Sequence, residues 1–245
     1  MVVSKNSRQI FCAIDTDDLE AAKSLSSSIR HFVGGIKIGS QFFCTYGPPG
    51  LEIMRALGLP VFLDLKLFDI PNTVAAAVVS AGKFNPFMMT LHASGGKAMM
   101  RAAVDANKTA ADASGTDKPL LLGVTVLTSF DESDLDEIGV KSRVLDQVSR
   151  LASLAQASGL DGVVCSAHEI EILRSRCGND FKLVVPGIRP TWASTQDQKR
   201  VLSPSEAIAR GADYLVIGRP ITSAENPSAA ARQIASELSN LETPS

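Results

Sequence analysis

The chain has 245 residues, of which 45% are hydrophobic and 20% are charged, and its net charge is -2. This composition suits one large α/β domain or two small ones, and the lack of a basic stripe or polybasic patch argues against nucleic acid or a membrane as a partner. The first ten residues lack the apolar segment of a signal peptide, and no apolar run approaches the roughly 18 residues of a membrane helix. We therefore expect a soluble, cytoplasmic protein.

Eight short apolar runs alternate along the chain with longer amphipathic segments. The runs have the length of strands and mostly do not alternate with polar residues, as expected for a parallel sheet covered on both faces. The predicted strands are 9–15, 33–39, 61–66, 87–92, 120–127, 161–166, 182–188 and 213–218. The predicted helices are 18–30, 74–83, 97–107, 141–158, 204–210 and 229–241.

Eight βα units without a break in composition predict a single (β/α)₈ TIM barrel of the α/β class, with residues 1–245 as one domain. An open doubly wound sheet is the alternative, disfavoured because no GxGxxG follows the first strand. The four cysteines, Cys12, Cys44, Cys165 and Cys177, form no CxxC pair. Cys12 and Cys165 lie inside apolar runs and are predicted to be small buried hydrophobic residues of a protein from a reducing compartment.

Polar residues occur where the predicted strands end, which is where a barrel of this kind carries its chemistry. These residues are Asp15, Lys37, Asp64, Lys66, His92, Thr128, Arg189 and Gly218. Asp15 could instead cap the following helix, Lys37 could extend out of the barrel mouth to water, and His92 is more typical of a satisfied strand-end histidine than of a catalyst.

The stretch VFLDLKLFDI places three charges, Asp64, Lys66 and Asp69, at the end of a predicted core strand. A charge buried alone costs several kcal/mol or more, so a functional reason for the charges is expected. Residues i and i+2 of a strand point to one face, which predicts that Asp64 and Lys66 share a face. A structural salt bridge between them is the alternative.

The loops after the seventh and eighth predicted strands carry an anion-binding pattern. Gly218 allows close approach of the backbone, and Arg219 offers a planar set of donors suited to phosphate. The polar loop PGIRPTWASTQDQKR could close over a ligand and bring Gln198 to a bound anion. In TIM barrels these two loops are the usual phosphate site, although a plain surface loop with a helix cap is the alternative.

Three stretches of the chain resemble the orotidine 5′-phosphate decarboxylase family, and the resemblance covers nearly the whole chain. These stretches are DLKLFDIPNTV, GVTVLTS and PGIRP…DQKRVLSPSEAIARGADYLVIGRPI. The Asp-x-Lys-x-x-Asp triplet is moderately specific, and its combination with the two later loops is strong. Bacterial members of the family often have Phe-His before the last aspartate of the triplet, whereas this chain has Leu67 and Phe68. The charged positions are unchanged by this departure.

The resemblance implies a role for each matching residue. Lys66 resembles the proton donor, Asp64 the carboxylate beside the scissile group, and Lys37 its charged partner. Asp15 would hold the ribose, and Thr128 and the segment 64–73 would line the nucleotide site. The proposed phosphate ligands are Arg189, Gln198, Gly218 and Arg219.

The resemblance also implies a homodimer that uses no metal or organic cofactor and converts orotidine 5′-phosphate to UMP and carbon dioxide, in the last step of de novo pyrimidine synthesis. Asp69 and Thr73 would reach the neighbouring subunit's site. Two rivals remain open. A magnesium-dependent sister enzyme acting on a sugar phosphate would carry a metal-binding glutamate where this chain has Lys37. A catalytically silent phosphate-binding barrel would need the anion site alone.

Overall fold

Strands and helices alternate throughout residues 6–192 and 202–239, which are the residues that the computed structural model describes. The strands follow one another in a closed barrel in sequence order, which confirms the predicted (β/α)₈ fold. They are β1 (Ile10–Ile14), β2 (Gly35–Gly39), β3 (Val61–Leu67), β4 (Met88–His92), β5 (Leu120–Val124), β6 (Gly162–Val164), β7 (Lys182–Pro186) and β8 (Tyr214–Ile217).

The helices follow the strands, as the sequence predicts, and the described residues also form helices outside the ranges given above. They are α1 (Leu19–Ile29), α2 (Ser40–Arg55), α3 (Pro71–Gly82), α4 (Gly96–Ser114), α5 (Glu132–Glu137), α6 (Val144–Ala157), α7 (Ile170–Cys177), α8 (Pro204–Ala209), α9 (Arg219–Thr222) and α10 (Pro227–Ser239). No helix in these two described ranges is long and apolar enough to cross a membrane.

Helix α2 was missed because its sequence contains Gly-Pro-Pro, which is typical of a turn. The helical course is broken at Gly47, whose φ of 55° lies in the left-handed region, and a second helical piece begins with Pro48 and Pro49. Proline is tolerated in a first helical turn because its missing N–H would be unpaired there in any case. The structure thus places two short helical pieces in a segment for which no helix was predicted.

The described residues form two compact units, one running up to Leu65 and resuming at Val185, the other spanning Lys66–Val184. The assignment of the whole chain to one domain stays a prediction. In the first unit β1 pairs in parallel with both β2 and β8, and all five of its residues are buried. This double burial explains the continuous apolar sequence of β1.

In the second unit β4, β5, β6 and β7 pair in parallel, each with the next. Its core includes the buried methionines Met88, Met89, Met99 and Met100. Flexible thioether side chains fill irregular space well, which suits the packing of α4 against α3 in this unit. Helix α4 also extends to Ser114 and so includes the start of the segment 112–119 that the sequence indicated as a loop.

Glu169 is buried although its side chain is ionisable. It lies in a short 3₁₀ turn after β6, where its carboxylate accepts a hydrogen bond from the backbone N–H of Ser166 at 2.7 Å. Burial raises the pKa of Glu169, while the hydrogen bonds from Ser166 oppose the shift. The residue closes a capping box and so has a structural reason to be buried.

We expect Gly162→Ala to lower the free energy of unfolding by about 2–4 kcal/mol, because an added methyl group would overpack a site closed by backbone. Its Cβ would lie 2.2 Å from the carbonyl oxygen of Lys182 on β7. Urea unfolding of the purified protein measures the effect. Gly82→Ala is the matched control, since a Cβ there meets nothing within 4 Å. An equal loss for both variants would contradict this account of β6 and β7.

Candidate active site

Lys37 lies between two carboxylates in the first unit. Its Nζ is 3.1 Å from Oδ1 of Asp15 and 3.6 Å from Oδ2 of Asp64. The side chains of Lys37 and Asp64 are only 12% and 11% exposed. The strands set this geometry directly, because Lys37 is in register with Ala13 on β1, and Asp64 with Gly39 on β2. Lys37 is therefore a paired, largely buried ammonium and does not extend to water.

Gly39 leaves the space that this cluster needs. A Cβ at residue 39 would lie 3.0 Å from Nζ of Lys37 and 3.3 Å from Oδ1 of Asp15. Distances this short would force the ion pair to move. Gly39 ends β2 and precedes α2 with a φ of -98°, so its absent side chain, and not an unusual backbone, is what matters here.

Asp15 does not cap the following helix, so that alternative is wrong. The N-cap of α1 is Asp18, whose carboxylate accepts a hydrogen bond from the N–H of Ala21 at 2.9 Å. Asp15 instead directs one oxygen to Lys37 and is about half exposed. It is left in a position to contact a ligand as well as Lys37.

Beside Lys37 and Asp15 the first unit contains a cavity of about 240 Å³. It is lined by the loop after β7, including Gly187 and Arg189, and by the loop after β8, including Gly218 and Arg219. Gly187 has a φ of 76°, so the chain turns sharply after Pro186 in a conformation that favours glycine. Three cations therefore line one cavity, a setting that favours an anion such as phosphate.

Gly218 and Arg219 follow β8, as the sequence predicted, and the close approach of the Gly218 backbone to an anion stays a prediction. A Cβ at residue 218 would meet only Cβ of Ala13, at an ordinary 3.5 Å. Close packing within the protein therefore does not require glycine at this position. Gln198, the fourth predicted phosphate ligand, lies outside the described residues.

Lys66 has an unusual backbone. Its φ of 51° is in the left-handed region, which a side chain with a Cβ adopts at a cost of about 1–2 kcal/mol. The N–H of Lys66 donates to Oγ1 of the buried Thr90 on β4 at 2.9 Å, which helps to hold this conformation. The same-face prediction for Asp64 and Lys66 assumed extended backbone throughout, and this assumption is wrong at residue 66. Thr90 was missed because a threonine inside an apolar strand gives no signal of its own.

Asp69 and Thr73 are exposed, and the segment between Leu67 and α3 also exposes two large apolar side chains. Phe68 is 62% exposed and Ile70 is 66% exposed. The Phe68 ring also lies 5.4 Å from the ring of His92 at the end of β4. Neighbouring apolar residues left open on a surface indicate an interaction site.

Thr128 lies four residues beyond the end of β5, in an exposed turn, because the strand ends at Val124 and not at residue 127. The hydroxyl nearest to the strand belongs to Thr125, which is buried and donates to the carbonyl of Val164 at 3.0 Å. A ligand contact by Thr128 stays a prediction.

Cys12 and Cys165 are buried, as predicted. Burial, and then the negative charge of Asp15, raises the pKa of Cys12 to about 12, while Lys37 opposes the shift. A thiol with so high a pKa is protonated at neutral pH and is a poor nucleophile or metal ligand. Cys12 is therefore a buried packing residue near Asp15 and Lys37, and it does not contribute a reactive group.

The comparison with protein families gives one match that spans most of the chain. The family model described as "Orotidine 5'-phosphate decarboxylase / HUMPS family" matches residues 8–234. A relative from Paramagnetospirillum magneticum, named orotidine 5′-phosphate decarboxylase, is 52% identical over 94% of this chain and 97% of its own. A relative of the same name from Rhodospirillum rubrum is 53% identical over 94% of this chain and 93% of its own.

Among solved structures, the crystal structure of orotidine 5′-phosphate decarboxylase from Lactobacillus acidophilus is similar, with a TM-score of 0.83 and 35% sequence identity. The match covers 94% of this chain and 99% of that one. The sequence and the fold of this chain are therefore both similar to those of its relatives along nearly its full length. The chain belongs to the orotidine 5′-phosphate decarboxylase / HUMPS family.

Proposed function

We propose that this protein is an orotidine 5′-phosphate decarboxylase, which converts orotidine 5′-phosphate to UMP and carbon dioxide in pyrimidine synthesis. Relatives of that name at about half identity support the assignment. The observation that carries it in this chain is the cavity beside Asp15 and Lys37, because it combines a cationic lining for a phosphate with a carboxylate for a neutral, hydroxyl-bearing group.

The chemical step breaks the bond between C6 of the pyrimidine and its carboxylate. The electron pair stays on C6 in an orbital in the plane of the ring, so it cannot spread into the π-system. A fixed ammonium near C6 stabilises this pair as it forms and then gives it a proton. We assign that role to Lys66. Its strained backbone at the end of β3 sets the direction of its Cα–Cβ bond.

Asp64 has two candidate roles. As the carboxylate beside the scissile group it would repel the substrate's carboxylate, by about 4 kcal/mol for charges about 4 Å apart at an effective dielectric of about 20. This repulsion is relieved as carbon dioxide leaves, so it would speed the step. Its second candidate role is to hold Lys66 in place. Asp64 also pairs with Lys37 at 3.6 Å.

The sugar and phosphate ends of the substrate are assigned to the first unit. Asp15 has an exposed carboxylate suited to a ribose hydroxyl, with Lys37 holding it in place at 3.1 Å. Arg189, Arg219 and the backbone at Gly218 would bind the phosphate, together with Gln198. Binding energy from this remote group can support the reaction by orienting the ring.

We further propose a homodimer in which Asp69 and Thr73 complete the neighbouring subunit's site. The exposed Phe68 and Ile70 beside Asp69 support this proposal, because a partner surface would remove both side chains from water. Burial of two such side chains contributes about 3–6 kcal/mol to association before its entropic costs. Thr128 is assigned to the pyrimidine end of the same site.

The magnesium-dependent sister reaction is disfavoured by Lys37. Its ammonium already stands between Asp15 and Asp64, the two carboxylates that a divalent cation would use, and would repel the ion. We expect full decarboxylase activity on orotidine 5′-phosphate after treatment with EDTA. The loss of the substrate's ultraviolet absorbance measures this activity. Activity that returns only with added Mg²⁺ would contradict the argument that Lys37 excludes the ion.

Lys66→Ala tests the proton donor. We expect kcat to fall by more than about 10³-fold, because both the stabilising charge and the proton source are removed. The binding of UMP, measured by calorimetry, serves as the control that the site still folds. Wild-type protein that binds UMP and shows no decarboxylation would instead indicate a silent phosphate-binding barrel.

Arg219→Ala tests the phosphate site. Loss of a charge-assisted contact to phosphate should lower kcat/KM by about 10²-fold or more. Addition of guanidinium ion to the variant should restore part of the rate if the loss is local to the missing side chain. An unchanged kcat/KM would remove Arg219 from the site.

Mixing two inactive variants tests the shared dimer site. In a heterodimer of Lys66→Ala and Asp69→Ala chains, one site carries both substitutions and the other carries neither. Random exchange of subunits should therefore restore about a quarter of the wild-type activity. No recovery, with exchange verified by native mass spectrometry, would show that Asp69 serves its own subunit.

A further inference from the structure

The hydroxyl of Tyr46 joins helix α2 to the loop that follows β1. It accepts a hydrogen bond from the backbone N–H of Leu19 at 3.1 Å and donates one to the backbone carbonyl of Asp17. Both capacities of one phenolic group are thus used on the two sides of Asp18, the N-cap of α1. This segment begins two residues after Asp15, so the phenol holds the loop that presents that carboxylate.

Tyr46 is itself held by packing. Its ring lies 5.0 Å from that of Phe42, which is fully buried, at an angle of 50°. A Cβ at residue 50 would lie 2.3 Å from Cβ of Tyr46, so the glycine found there is what admits the tyrosine. Gly47 breaks the helix directly after it. The phenol therefore has a defined direction before it makes any hydrogen bond, and it can impose that position on the loop.

The loop has internal hydrogen bonds that fix its local shape. The N–H of Asp18 donates to Oγ1 of Thr16 at 3.1 Å, and Asp18 caps α1. These bonds connect neighbours in the sequence. Asp15 itself directly follows β1 and is ion-paired with Lys37 at 3.1 Å. The contact from Tyr46 spans 27 to 29 residues of sequence, so it ties the rest of the loop to α2.

We propose that Tyr46 is a positioning residue, which keeps Asp15 in place against Lys37 and ready for the substrate. Without the hydroxyl, the loop would keep its internal hydrogen bonds and lose its tie to α2, so part of the binding energy would be spent on restricting it. The proposal rests on the proposed function for its kinetic consequence. A hydroxyl contact made by Asp15 is expected to be equally strong in the ground state and the transition state, so the loss should fall on KM.

Tyr46→Phe removes the hydroxyl and keeps the ring. We expect KM for orotidine 5′-phosphate to rise about tenfold, with kcat changed by less than about twofold, the loss typical of a hydrogen bond or two. Tyr214→Phe is the matched control, because Tyr214 lies at the start of β8, away from the strand ends that carry the site. A fall in kcat with unchanged KM, or the same change in both variants, would overturn the proposal.

A double-mutant cycle separates positioning from a general loss of stability. In an Asp15→Asn background, Tyr46→Phe should raise KM by less than about twofold, because the group that it positions is already impaired. A general weakening of the fold would give the same factor in both backgrounds, and that result would contradict the proposal.

Hydrogen exchange gives a readout that does not depend on catalysis. The amide of Leu19 donates to the phenol, so Tyr46→Phe should speed exchange in a peptide covering residues 15–21, and Tyr214→Phe should not. Should the wild type fail to decarboxylate orotidine 5′-phosphate, the proposed function fails, and this exchange rate still decides whether Tyr46 holds the loop. Unchanged exchange at Leu19 would overturn the proposal whatever the activity.

Discussion

The site depends on one buried ammonium that has two carboxylate neighbours. Lys37 is largely removed from water, and without Asp15 and Asp64 its charge would be strongly disfavoured there. Arg189 and Arg219 line the same cavity as Lys37 and Asp15, so its lining carries more cationic than anionic side chains. Such a lining attracts an anion. The register of β1, β2 and β3 produces the arrangement, and the loops after β7 and β8 complete it.

Backbone conformation contributes as much to the site as side-chain identity. Lys66 occupies a left-handed conformation that few residues with a Cβ adopt, and Thr90 on β4 holds its N–H. Gly187 makes a turn of similar type after β7, and Gly39 leaves room for the Lys37 ion pair. Strained or crowded positions of this kind persist where the surrounding fold determines them strongly. Each of them restricts the conformation of the side chains around it.

The sequence predicted all eight strands within a few residues, because strands buried on both faces have continuous apolar sequences. It also placed Asp15, Lys37, Asp64, Arg189 and Arg219 at or near strand ends. The structure has Asp15, Arg189 and Arg219 just beyond β1, β7 and β8, whereas Lys37 and Asp64 lie in the middle of β2 and β3. Other features depend on contacts distant in sequence and left no local signal. The hydrogen bond from Lys66 to Thr90 spans 24 residues. The burial of Glu169 follows from a capping box that resembles an ordinary polar turn. Helix α2 was not predicted, because its Gly-Pro-Pro is found in turns as well as in broken helices.

The cysteines differ sharply in their accessibility to reagents. Cys12, Cys165 and Cys177 are buried, whereas Cys44 is exposed on the first piece of α2. Alkylating reagents applied under mild conditions should thus modify Cys44 and leave the buried thiol of Cys12 unmodified. Cys44 lies two residues before Tyr46, on the helix that borders the loop of Asp15. A fluorophore attached there would report on ligand arrival from outside the cavity, in the unsubstituted protein.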